Sequence, residues 1–208
     1  LLRRTLNFIG RIGSDIRDTD EIRLQKALMV AGSFMFILAG ALWGILYFAL
    51  GQWVAGIIPL GYAVISLLSI SFFALTSRYR FFRSSQLVLI LLLPFLLMVA
   101  LGGFVNSSAV ILWSLLCPVG ALLFDEPRFA PRWLFAYLVS VILSGFIQPY
   151  IPDPLPLPAA VITLFFVMNI GSVSIIAIVL LAYFVRQRNI FQEKSENLLL
   201  NILPKEIA

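Results

Sequence analysis

Residues 27–77 read ALMVAGSFMFILAGALWGILYFALGQWVAGIIPLGYAVISLLSISFFALTS, with Lys26 before them, Arg78 after them, and no charged residue between. A helix crosses the hydrocarbon core of a bilayer with about 20 mostly apolar residues. This run therefore predicts two crossings, and Gly51-Gln52 is the natural place to turn. We read span one over 27–50 and span two over 53–76. Moving outward, the next uncharged stretch extends from Ser84 to Phe124. Gly102-Gly103 and Asn106-Ser107-Ser108 divide it into spans at 86–104 and 109–124, the second of them short and holding Pro118. The last stretch extends from Trp133 to Val185 with one charge, Asp153, among Pro149, Pro152, Pro154, Pro156 and Pro158. Prolines at that density cannot make a spanning helix and mark a stiff, extended loop. Spans five and six then fall at 133–147 and 159–185. The expected fold is an all-α membrane protein with six transmembrane helices in three hairpins.

Composition agrees. The chain is 61% hydrophobic and 12% charged, with mean hydropathy +1.02. A soluble domain carries about 25% charged residues, so a soluble fold is excluded. A β-barrel would alternate polar and apolar residues, and residues 87–100, LVLILLLPFLLMVA, do not.

The basic residues set the orientation. Arg3, Arg4, Arg11, Arg17, Arg23 and Lys26 precede span one. Arg78, Arg80 and Arg83 fall in the second loop, Arg128 and Arg132 in the fourth, and Arg186, Arg188, Lys194 and Lys205 after span six. These are all the Lys and Arg of the chain, and with six spans all share one side. The positive-inside rule predicts a multi-pass protein of the inner (cell) membrane with both termini cytoplasmic. The net charge of +5 is thus a topology signal and predicts no nucleic-acid partner.

Several chemistries lack their residues. The chain has no His, which removes His-based acid–base catalysis, Ser-His-Asp and Cys-His nucleophiles, and His-ligated metal sites. Cys117 is the sole cysteine, so no intrachain disulfide forms, and it reads as an apolar filler. No Asp, Glu, Lys or Arg lies deep in any span, which argues against an ion pathway. One aspartate on the outer loops is too few for a cation cage. An apolar or lipid-like ligand entering between helices, with membrane lipids as further partners, suits the composition better.

Within the spans, Gly40 and Gly44 make a GxxxG spacing, consistent with packing inside the subunit or across a dimer. Asn169, Gly171, Ser172 and Ser174 form the clearest polar stretch, readable as helix packing or as a pocket. Pro94 and Pro118 predict kinks, and Trp53 and Trp133 fit interface anchors. Residues 1–26 form the first region. They have no apolar core before Ala27 and carry Asp15, Asp18, Asp20 and Glu21, so they are not a signal peptide. Leu2, Leu6, Ile9 and Ile16 predict an amphipathic helix on the cytoplasmic membrane surface. Residues 27–185 are the transmembrane domain. The chain begins with Leu1, and we expect it to be part of a longer protein.

Residues 186–208 carry the most specific signal. No Gly or Pro occurs from Ser172 to Leu203, so span six is expected to leave the membrane as one helix. Phe184, Phe191 and Leu198 recur every seven residues with polar Gln187, Lys194 and Asn201 between them. That weak heptad predicts a metastable two-stranded coil ended by Pro204. Residues 195–208, SENLLLNILPKEIA, resemble the segment just ahead of the catalytic domain in class III nucleotide cyclases. The resemblance implies a signalling helix and transducer element over Asn197, Leu198, Leu199, Leu200, Asn201, Ile202, Leu203 and Pro204. The six-span layout is similar to the membrane anchor of bacterial membrane-bound adenylate cyclases. It implies a homodimer whose parent protein converts ATP to cyclic AMP and pyrophosphate. It also implies a divalent metal, Mg or Mn, in a catalytic domain outside these residues. No catalytic, cofactor-binding or metal-ligating residue is assigned here, and neither is the choice between ATP and GTP. A membrane sensor of histidine-kinase type, or a small transporter, is the alternative.

Overall fold

The computed structural model describes residues 12–13, 18–152 and 157–202 and is all-helical among them. Helix α1 spans Asp20–Ala49, α2 Trp53–Thr76 and α3 Tyr79–Ala100. A 3-10 stretch, Val110–Leu115, then runs directly into α4, Leu116–Phe124. Helix α5 spans Ala130–Ile147 and α6 spans Ala159–Ile202. Five helical segments are long and apolar enough to cross a membrane: Ile22–Ala49, Trp53–Thr76, Tyr79–Ala100, Ala130–Tyr150 and Ala159–Ile190. The chain is therefore a multi-pass membrane protein. The fourth expected span is the shorter segment Val110–Phe124, below the length of the other five.

Local chemistry explains the boundaries. Helix α1 starts at Asp20, earlier than span one, because the Thr19 hydroxyl accepts from the Ile22 N–H at 3.4 Å as an N-cap. Residues 20–26 thus belong to α1 and not to a separate surface helix. Leu2, Leu6, Ile9 and Ile16 lie outside the described residues, as do Arg3, Arg4, Arg11, Arg17, Asp153 and Lys205. Gly51 turns the chain at φ +76°, and Gly102 and Gly103 do so at +89° and +98°, a region that favours glycine. Helix α3 begins seven residues before the span read from sequence, because Arg83 is no boundary. Its guanidinium meets Asp125 at 2.6 Å, donates to the Phe124 carbonyl at 3.2 Å, and lies over the Tyr79 ring. Pro118 sits in the first turn of α4, directly after the 3-10 stretch, where one helix type gives way to the other.

The helices pack antiparallel. At one end gather Lys26, Phe73, Tyr79, Phe82, Arg83, Phe124, Asp125 and Trp133. Lys26 is buried there. Its ammonium pairs with Asp18 at 2.7 Å, donates to the Gly13 carbonyl at 3.0 Å, and lies about 6 Å from the Phe73 and Tyr79 ring centres. At the opposite end Tyr47, Ala55, Leu97, Met98, Leu101, Val110 and Phe165 form one cluster. Arg78, Arg80, Arg128 and Arg132 flank the first end in sequence, on either side of the Tyr79 and Asp125 turns.

Helices α1 and α2 approach closely through small residues. A Cβ on Gly44 would meet the Gly56 carbonyl oxygen at 2.9 Å, and one on Gly40 would meet that of Pro59 at 2.9 Å. The GxxxG spacing thus serves packing within the chain, where small residues let helix backbones touch. Gly44→Val should part α1 from α2 and cost about 2–3 kcal/mol by overpacking. Thermal unfolding in detergent measures this, and a loss below about 0.5 kcal/mol would show the contact to be soft.

Candidate functional site

A cavity of about 90 Å³ lies where α1, α2, α3, the 3-10 stretch and α6 meet. Helix α1 lines it with Phe36, Ala39, Gly40, Trp43 and Tyr47, a stripe at helical spacing. Pro59 and Tyr62 come from α2, Ile90, Leu93, Pro94 and Leu97 from α3, and Asn169 from α6. Two helix-interior prolines thus face one space. Each lacks the N–H that the carbonyl four residues earlier would use, Ala55 for Pro59 and Ile90 for Pro94, and of these two Ile90 lines the cavity. Aromatic contacts close the walls. Phe36 meets Trp113 edge-on at 6.5 Å, and Trp43 meets Phe165 edge-on at 4.9 Å.

Two polar groups touch this space, and they differ. Asn169 is fully engaged: its amide donates to the Ser108 carbonyl at 2.8 Å, and its oxygen accepts from the Trp113 indole N–H at 3.0 Å. A buried polar side chain satisfied at both ends fixes the orientation of its helix. Ser108 also donates to the Ile162 carbonyl at 2.9 Å, so the loop before the 3-10 stretch is tied to α6 twice. Tyr62 is 6% exposed, yet its hydroxyl has no hydrogen-bond partner. It lies near Ser66 without a bond of proper geometry, and the Ser66 hydroxyl donates instead to Gln86 at 2.9 Å. No residue lining the cavity is charged.

Of the polar stretch on span six, only Asn169 joins the site. A Cβ on Gly171 would meet nothing within 4 Å, and Ser174 is exposed. Gly40 lines the cavity, while Gly44 lies one turn away in the α1–α2 contact. Residues Asn197 to Ile202 continue α6, and Leu203 and Pro204 lie outside the described residues. The sequence reading missed Tyr62 and Pro59, and with them a buried polar seam of Ser66, Ser69, Ser85 and Gln86 between α2 and α3. Spacing could have found it, since Tyr62, Ser66 and Ser69 fall on one helical face. Among the described residues no group of three His, Cys, Asp or Glu could hold a metal ion. No protein-family model matches this chain, and no curated protein or solved structure matches it either.

Proposed function

We propose that residues 1–208 are the membrane anchor and receptor domain of a class III adenylate cyclase, working as a homodimer in the inner membrane. The observation that carries this reading is α6. It is one unbroken helix of 44 residues, Ala159–Ile202, whose apolar part ends near Ile190. At 1.5 Å per residue its last dozen residues reach about 18 Å past that point, into the SENLLLNILP run. Pairs four residues apart support this polar end: Gln187 donates to the Tyr183 hydroxyl at 3.0 Å, and Gln192 donates to Glu196 at 3.1 Å.

The way Val110–Phe124 pairs with α3 supports a count of six crossings, and with six the basic residues favour both ends cytoplasmic. Val110 packs beside Leu97 and Leu101, Ser114 donates to the Leu91 carbonyl at 2.8 Å, and Asp125 reaches Arg83. The segment thus returns along nearly the whole of α3. Its first six residues rise about 2.0 Å each as 3-10 helix, so 15 residues cover roughly 25 Å. An even count puts every Lys and Arg on one side.

The mechanism is a population shift. Asn169 joins the cavity wall to the helix that leaves the membrane. A ligand that favours one packing of α1, α3 and α6 would favour one placement of the paired α6 helices, and so of the catalytic halves. The deciding assay is cyclase activity of the full-length parent protein in membranes, with ATP and GTP supplied separately. Cyclic AMP formed only when the residues beyond Ala208 are present is the expected result. A parent that forms neither cyclic nucleotide overturns the assignment.

A further inference from the structure

We infer that the groove beside the α2–α3 turn binds the head group of an anionic phospholipid from the surrounding bilayer. One wall is Asp18, Ile22 and Lys26, at the start of α1. The other is Arg78, Arg80 and Phe81, in the turn after α2 and the first turn of α3. The groove measures about 490 Å³, against about 90 Å³ for the aromatic cavity, so a whole head group has room.

Charge selects the occupant. Lys26 and Asp18 pair at 2.7 Å, which leaves the α1 wall close to neutral and holds it in place. Arg83 has Asp125, and Arg128 has Glu126. Arg78 and Arg80 are exposed and make no ion pair among the described residues. The groove thus carries two uncompensated positive charges. A guanidinium fork matches the oxygens of a phosphodiester. A zwitterionic head would bring its own ammonium against the arginines, and an anionic head does not.

Depth selects a lipid over a free anion. The turn joins two membrane-crossing helices, one ending at Thr76 and the next beginning at Tyr79, so both arginines stand at head-group level. Phe81 lines the groove and meets Phe72 edge-on at 5.1 Å. Phe72, Leu75 and Phe81 are all exposed, and they continue the groove as an apolar strip where the first acyl carbons would lie. A free phosphate has nothing to place there. A basic pocket between membrane helices with apolar surface beside it is the chemistry that holds anionic lipid heads.

This inference does not depend on what the parent protein catalyses. The test titrates phosphatidylglycerol, and separately phosphatidylcholine with the same acyl chains, into the purified chain in neutral detergent, read by native mass spectrometry. Phosphatidylglycerol should saturate at one tightly held lipid per chain, and phosphatidylcholine should be stripped first. Arg78→Gln with Arg80→Gln should weaken that binding about thirtyfold, about fivefold for each arginine. Arg128→Gln with Arg132→Gln, the pair that lies over Phe129, should leave it unchanged. Equal retention of the two lipids overturns the inference, as does unchanged binding in Arg78→Gln with Arg80→Gln. Equal loss in the two double variants would show a diffuse surface charge and overturns the site. Displacement by millimolar inorganic phosphate would show an anion site indifferent to the lipid and overturns the occupant. Arg78 and Arg80 are exposed and unpaired, so their replacement should keep the fold, and circular dichroism of the variant checks it.

Discussion

Asp125→Ala is expected to destabilise the folded chain by about 3–5 kcal/mol, the cost of removing one partner of a buried ion pair. Asp125 sits in the turn after α4. Its carboxylate takes Arg83 at 2.6 Å, the Glu126 N–H at 2.7 Å and, at the edge of bonding distance, the Trp133 indole N–H at 3.5 Å. Both side chains of the pair are nearly covered, at 13% and 6% exposure. Without the carboxylate, Arg83 keeps the Phe124 carbonyl and the Tyr79 ring, neither of which neutralises its charge. The same change frees the turn that returns the chain from α4 to α5. The double substitution Arg83→Leu with Asp125→Leu removes both charges and should recover most of the loss, because a hydrophobic pair of similar volume is often as stable as a buried ion pair. Unfolding in detergent, followed by circular dichroism, measures both. A loss under 1 kcal/mol in Asp125→Ala would show that water and lipid head groups solvate Arg83 at that depth.

This ion pair also shows what the sequence could and could not say. Charge-free runs located the apolar helices well, since α2 occupies residues 53–76 as read and α6 begins at Ala159. They misplaced α3, because a charge was taken as a membrane limit. Arg83 enters the helix with its counter-charge supplied from 42 positions on, and no local pattern announces such a partner. Pro118 is another position whose meaning depends on the helix limits. A proline reads as a kink until the helix start is known, and here the 3-10 stretch puts it in a first turn. At the site, Asn169 was legible as a lone amide in an apolar helix. Tyr62 was not, because a tyrosine in a membrane helix carries meaning only once its hydroxyl is seen to lack a partner. The cavity as a whole forms where α1, α2 and α3 meet the chain-distant 3-10 stretch and α6, and it has no sequence signature.

Inserting one alanine after Arg188 is expected to lower the parent's cyclase activity at least about tenfold, a barrier change of about 1.4 kcal/mol. Inserting seven residues at the same place should largely restore it. The insertion point lies among the charged residues at the very end of the apolar stretch and far past Asn169, so packing around the cavity is untouched. One residue turns everything after it by about 100°, while seven turn it by about two full turns less 20°. Helix α6 has neither Gly nor Pro from Ser172 to Ile202, so the rotation is not absorbed by a hinge within it. If two such helices meet as a coil, one residue rotates Leu198 and its neighbours away from the partner, whereas seven restore the heptad. A helix serving only as a tether would tolerate both insertions alike. Equal activity in the two variants would thus reduce this domain to an anchor. Loss with one and recovery with seven would mean that the membrane helices set the angle at which the catalytic halves meet.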